Sequence, residues 1–198
     1  MLVELLVSCA PALHPHLSSA LIKRESGFNQ YSIGMDSKHK VHLVRQPKNL
    51  AEAVATAQSL QKQGYKFSVG LTQIHISNVQ RYSMSWTQAF EPCSSLRTGQ
   101  TILVHYYEKA LSTGLRGNEA VYAALRGYNC GHIQCAASNG YAAAILTSAM
   151  GGQTVMPGTK SVRPGAASHS PFQQQAAAEA YSHEQQLWGA VPASLAEK

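Results

Sequence analysis

Ala20-Leu21-Ile22-Lys23-Arg24-Glu25-Ser26-Gly27-Phe28-Asn29 reads as the end of an amphipathic helix that closes on a carboxylate. Leu17, Ala20, Leu21 and Ile22 recur at helical spacing and form one apolar arc, and Glu25, about two turns beyond Leu17, falls inside it. The acid is therefore expected to point inward. Gly27 supplies the helix stop, which puts Glu25 in the last turn, where the negative end of the macrodipole and the apolar neighbours both disfavour the anion. A raised pKa is expected, and a general acid working near neutral pH needs one. A buried glutamate paired with Arg24 or another cation fits this stretch equally well.

Working outward, Pro15 suits the opening turn of the same helix, and a polar loop runs from Asn29 to Pro47. Asn49-Leu50-Ala51-Glu52 has capping-box spacing and starts an alanine-rich helix that stops at Gly64. Tyr65 to Ile76 alternates aromatic or branched residues with polar ones around Gly70, so a short hairpin is expected there and β structure nowhere else. Leu96, Ile102, Leu103, Tyr106, Ala110 and Leu111 recur at three and four, predicting the longest helix, with its stop at Gly114. Asn118 to Arg126 and Gly140 to Ala149 are two further helical runs, separated by the Cys130 to Cys135 loop. The fold class is mainly α, with a minor β element, over residues 1–150. From 151 to 198 the chain turns to Gly, Pro, Ser, Ala and Gln, too poor in apolar side chains to offset ordering, and a flexible tail is expected. Ala176 to Trp188 could form one short helix that docks on a partner through Tyr181 and Trp188.

With 198 residues, 44% of them hydrophobic and 13% charged, the chain can bury the core of one domain. Its net charge of +6 comes from scattered Lys and Arg without runs or an arginine-rich arm, which argues against nucleic acid and suits a polyanionic wall polymer or an anionic surface. Met1 to Val7 is a short apolar run broken by Glu4, without a basic flank; it does not read as a signal peptide and is too short to span a membrane. The four cysteines, Cys9, Cys93, Cys130 and Cys135, allow three pairings and fit an oxidising compartment.

Three later segments bear on Glu25: Gly70-Leu71-Thr72-Gln73-Ile74, Gly127-Tyr128-Asn129, and the helix opening Gly140-Tyr141. Together with Glu25-Ser26 and Asn29, their order and spacing resemble the soluble lytic transglycosylase domain, the lysozyme-like family that cleaves peptidoglycan. Cys9-Ala10-Pro11, the run from Arg45 to Ala57, Phe90-Glu91-Pro92-Cys93 and Ser95-Leu96-Arg97 are similar to the members found in type IV secretion and conjugation systems. The resemblance implies an α+β lysozyme-like fold and a periplasmic enzyme without a cofactor or metal, whose partners are peptidoglycan glycan strands and, through the tail, secretion-system components. It also implies that Glu25 protonates the oxygen between N-acetylmuramic acid and N-acetylglucosamine and then, as a base, takes the proton of the muramoyl 6-hydroxyl, giving a 1,6-anhydro end. A glycan-binding scaffold and a muramidase are the alternatives. Hydrolysis usually needs two carboxylates, whereas Asp36, Glu52 and Glu91 fall in loops or at helix starts, where capping explains them.

By the same resemblance Ser26 bonds the acid or the substrate's N-acetyl group, or else, as a helix-end hydroxyl, simply bonds back to a carbonyl. Gly70 and Gln73 frame the sugar, the glycine by close backbone approach and the amide as donor and acceptor. Tyr128 leans on Glu25 or a sugar face, Asn129 closes its helix near the cleft, and Tyr141 lines the floor. Thr72, His75 and Gly127 depart from the methionine, asparagine and alanine common at these places. Cys130, His132 and Cys135 could offer a metal at most three ligands, so a disulfide is the preferred reading. Of the possible pairings, Cys9 with Cys93 and Cys130 with Cys135 is favoured, the first tying the N-terminus to the long helix.

Overall fold

The computed structural model describes residues 2–36 and 42–152, so the expected tail, from residue 153 on, lies outside the described residues. The chain divides into two compact units, one of Met1–Ala10 with Ser18–Thr101 and one of Pro11–Leu17 with Ile102 onward. Among the described residues there are eight α-helices and one three-stranded sheet, so the mainly α, α+β reading holds. No helix among them is long and apolar enough to cross a membrane.

The first unit holds helix α1 (Leu2–Cys9), α2 (Pro15–Ser26) from Ser18 on, strand β1 (Ile33–Met35), α3 (Leu50–Lys62), β2 (Phe67–Val69), β3 (Ile74–His75), α4 (Ile76–Arg81), α5 (Trp86–Phe90) and the start of α6 (Pro92–Ser112). Leu6, Cys9, Ala10, Ile22, Leu71 and Leu96 form one buried cluster, with Leu5 and Cys93 packed against it. A disulfide joins Cys9 at the end of α1 to Cys93 in the first turn of α6. The favoured pairing is therefore the one formed.

Besides the short helices α1, α4 and α5, which the sequence reading did not include, two departures from it lie here. The loop expected from Asn29 to Pro47 contains β1, which pairs antiparallel with β2, Ile33 opposite Val69 and Met35 opposite Phe67. Three residues are too few to show alternation, and only Ile33 is buried. The outer edge of β1 is closed by a side chain: Gln46 Oε1 accepts from the Ile33 N–H at 2.8 Å and Gln46 Nε2 donates to the Ile33 carbonyl at 3.0 Å. An amide thus stands where another strand could add. The other departure is α6, which begins at Pro92, four residues before the first apolar position of the pattern. Glu91 starts it: Oε1 accepts from Cys93 N–H at 3.0 Å and Oε2 from Ser94 N–H at 2.6 Å, while Pro92 takes the position that needs no donor.

Partial burial pushes the Glu91 carboxyl up, but these amide bonds, the Ser94 hydroxyl and the Arg97 charge outweigh it and hold it below its ordinary value near 4.5. A carboxyl depressed in the folded state gives stability that is complete above its unfolded value and is lost as pH falls through the folded one. Glu91→Gln is therefore expected to lower stability at pH 7 and to bring the acid-side decline closer to flat in denaturant titrations between neutrality and low pH. An unchanged acid limb would show that the cap carries no linked stability.

The second unit holds the opening turn of α2, the rest of α6, α7 (Gly117–Cys130), a short 3-10 helix (Ala136–Ser138) and α8 (Asn139–Ala149). Ala110, Ala120, Ala123 and Ile133 form its buried cluster, flanked by Tyr106, Tyr107, Leu111 and Leu115. Helix α7 runs four residues beyond the expected Arg126 and is stopped by Gly131 in the left-handed conformation, φ 90°. Cys130 and Cys135 are bonded to each other across that stop, as expected, so their sulfurs are not thiolate ligands.

Candidate functional site

The expected residues fall into two groups. Glu25, Ser26, Gly70 and Gln73 belong to the first unit, and Tyr128, Asn129 and Tyr141 to the second.

In the first unit α2 ends as read. Leu17, Ala20, Leu21 and Ile22 are all buried, Lys23 and Arg24 are exposed, and Glu25 is half-buried in the last turn. The acid is thus at the border of the apolar arc, not deep within it. Gly27 and Phe28 both take left-handed backbone, φ 58° and 66°, and reverse the chain directly behind the carboxylate. Glycine does so freely; for phenylalanine, 42% exposed, it costs energy, and such strain gathers at functional sites. Nothing in the side-chain pattern signals this. Asn29 fixes the next turn, its Oδ1 accepting from Tyr31 N–H at 3.0 Å. The Ser26 hydroxyl lies 3.3 Å from the Ile22 carbonyl, the back-bond of a helix-end serine.

Gly70 is buried at φ 80°, and a Cβ there would meet the Ala89 carbonyl oxygen and Ser95 Oγ. Its need for glycine is set by the protein itself. Gln73, also left-handed at φ 48°, donates both amide hydrogens inward, to Ser32 O at 3.1 Å and Gly70 O at 2.9 Å. It clamps the β2–β3 turn to the segment before β1, so what it has left for a ligand is the acceptor Oε1 alone. Gly34 makes room for that oxygen, which lies 2.5 Å from where its Cβ would be.

The departures at 72 and 75 have local reasons. Thr72, 1% exposed, bonds the Ser95 carbonyl at 2.8 Å and Ser95 Oγ at 3.0 Å, and it fills the space left by the absent Cβ of Gly99. His75 caps α4, its Nδ1 accepting from Ser77 N–H at 3.2 Å, which is the job an asparagine does at a helix start. Of the other acids near these elements, Glu52 bonds Arg45 at 2.7 Å and Lys48 N–H at 3.1 Å, Glu91 caps α6, and Asp36 lies 3.7 Å from His75. The Arg45 hydrogen bond, with the Lys48 amide, holds the Glu52 carboxyl below its ordinary value.

In the second unit Tyr128 is half-buried on the last turn of α7 and Tyr141 is 9% exposed on α8. Asn129 is spoken for, its Nδ2 donating to Ser138 Oγ at 2.7 Å and so tying the end of α7 to the 3-10 turn. Beside it, the Arg126 guanidinium lies over the Tyr122 ring at 5.3 Å and reaches Asn139 Oδ1 at 3.3 Å. Gly127 is glycine because the Tyr106 ring occupies the place of a Cβ. Gly127→Ala is accordingly expected to cost about 1–3 kcal/mol by overpacking, read from the denaturation midpoint. Adding Tyr106→Leu should recover most of it, and a Gly127→Ala protein as stable as the parent would sink the account.

The chain belongs to the transglycosylase SLT domain family, whose model matches residues 7–149. Over 127 residues, 63% of this chain, it is 40% identical to the type IV secretion system protein virB1 of Brucella abortus (strain 2308), and it matches the proteins of that description from Brucella melitensis and Brucella suis equally well. The match covers 52% of each of them, so the chain spans about half the length of the curated relatives it matches. No solved structure gives a significant match.

Proposed function

We propose that the chain is a peptidoglycan lytic transglycosylase. It cleaves the β-1,4 bond between N-acetylmuramic acid and N-acetylglucosamine, leaves a 1,6-anhydromuramoyl end, and opens the wall locally for a type IV secretion or conjugation machine in the periplasm. Glu25 is the single proton carrier, acid first and base second. The observation that carries this reading is how the carboxylates on these elements of the first unit are placed: Glu25 closes α2, while Glu52 bonds an arginine, Glu91 caps a helix and Asp36 lies 3.7 Å from His75. A hydrolase drawing its second group from these elements would need one of those three.

Gln73 Oε1 accepts from a substrate N–H or hydroxyl, Gly70 holds the turn that presents it, and Ser26, back-bonded to Ile22, would turn to the acid or the N-acetyl group only when substrate is bound. Tyr128 and Tyr141 offer sugar-facing rings, and Asn129 acts through the 3-10 turn it anchors. Secretion-system components are the partners, with the tail as their contact.

Mass spectrometry of muropeptides released by the purified chain tests the reaction. Anhydro ends, one water lighter than hydrolysed ends, are expected. Reducing muramic ends would make the chain a muramidase, and no release from intact sacculi would make it a glycan-binding scaffold.

A further inference from the structure

The first unit carries a concave surface that shares no residue with the set above. It is a cavity of about 400 Å³, open to solvent with Gln58, Gln61 and Gln80 exposed, lined from α3, α4, the turn after α4 and the start of α5. Three amides line it, Gln58, Gln61 and Gln80, and Val79, Met84 and Trp86 supply apolar surface. Every side chain lining it is uncharged.

Its walls are held in place. The Trp86 ring stacks on the fully buried Phe67 with centroids 5.5 Å apart, and its Nε1 donates to Gln61 Oε1 at 3.2 Å. That bond orients Gln61 and does not use its amide hydrogens. Met84 is fixed by Thr98 Oγ1, which reaches its sulfur at 3.4 Å, and Ser85 is fixed by the capping box that starts α5. Just ahead of them Ser83 has left-handed backbone, φ 51°, a strained turn that shapes the rim. Gln58 and Gln61 are three residues apart on α3 and so project from one face.

We propose that this cavity binds an uncharged N-acetylhexosamine unit. An indole and a thioether give the apolar surface that a sugar's C–H face and acetyl methyl cover, and amides, at once donors and acceptors, match hydroxyl and acetamido groups. The lining offers an anionic sugar or a phosphate no cation to pair with. It offers an extended peptide no strand edge, because all its residues come from helices and turns. N-acetylglucosamine therefore fits, and a muramic acid whose lactyl carboxyl is free and ionised does not. The site gives the chain a hold on glycan that does not depend on cleavage, and it stands or falls separately from the role of Glu25.

The test is a titration of the ¹⁵N-labelled full chain, carrying Glu25→Gln so that nothing is cut, with the neutral trimer of N-acetylglucosamine. The readout is the indole N–H resonance of Trp86, one of two tryptophans, assigned by Trp188→Phe. A saturable shift is expected. Gln58→Leu with Gln80→Leu, which leaves the Gln61 to Trp86 bond intact, should weaken it roughly tenfold, as loss of two modest hydrogen bonds requires, without moving the melting temperature. No saturable shift at millimolar trimer overturns the inference. So does a shift unaffected by the double variant, or one produced by a neutral alanine peptide and not by the sugar. A wild-type chain that binds at Trp86 and releases no muropeptide would end the proposed activity and leave this site standing; release without binding at Trp86 would do the reverse.

Discussion

Glu25→Gln is expected to reduce muropeptide release by roughly 10²–10⁴-fold, the range spanned by a positioned proton donor or acceptor, and toward the upper end because one side chain serves both steps. Glutamine keeps the size and hydrogen-bonding reach of the side chain, and α2 is held by contacts outside the carboxyl. Leu21 and Ile22, 2% and 1% exposed, pin α2 to the core, and Gly27 N–H bonds the Lys23 carbonyl at 3.2 Å. The variant should therefore show the far-ultraviolet circular dichroism and melting temperature of the parent. Wild-type turnover in a folded Glu25→Gln protein would remove the acid from the mechanism.

The second large effect is on stability. The Cys9–Cys93 bond spans 84 residues of sequence, and closing a loop of that length in the unfolded chain is worth about 4–5 kcal/mol on the chain-entropy model. Cys130–Cys135 spans five, which on the same model is worth about 2 kcal/mol. Replacing Cys9 and Cys93 by alanine should take away a large part of a typical domain's margin, while the same change at Cys130 and Cys135 should cost roughly half as much. Equilibrium denaturation of the two variants beside the parent decides it. Equal costs would mean that the long loop is already constrained in the unfolded ensemble.

Most of the helices were legible because their signals are local and redundant. Asn49 caps α3 by accepting from Glu52 N–H at 2.9 Å, as its spacing from Glu52 suggested, and the three-and-four pattern through Leu103 and Ala110 found α6. Glu52 itself departs from the capping box, turning its carboxylate to Arg45 instead of to the Asn49 amide. What the sequence hid was short or depended on distant partners. Strand β1 exists because β2 covers one side of Ile33 and the Gln46 side chain the other, and neither neighbour is visible in Ile33-Gly34-Met35. Helices α4 and α5, of six and five residues, are too brief for a period to show. Among the candidate residues, Glu25, Gln73, Tyr128 and Asn129 could be picked out from their order, but their commitments could not. Nothing in a linear motif says that Gln73 spends its amide hydrogens on Ser32 and Gly70, or that Asn129 holds Ser138.

Thr72 has a consequence for how such a chain can change over generations. Its side chain lies where a Cβ on Gly99 would be, the nearest Thr72 atoms standing 2.7–2.9 Å from that point. A threonine at 72 and any side chain at 99 therefore exclude one another, whichever arrives first. A lineage moving toward this pair from a different residue at 99 must lose that side chain before gaining the hydroxyl, or cross an overpacked intermediate. Ser95 tightens the order further, because changing 72 alone to an apolar residue removes the hydroxyl's bonds to the Ser95 carbonyl and hydroxyl and leaves Ser95 Oγ the N–H of residue 72 at 3.3 Å. The substitution is easy to enter from one side and hard to leave, a ratchet made of three small residues.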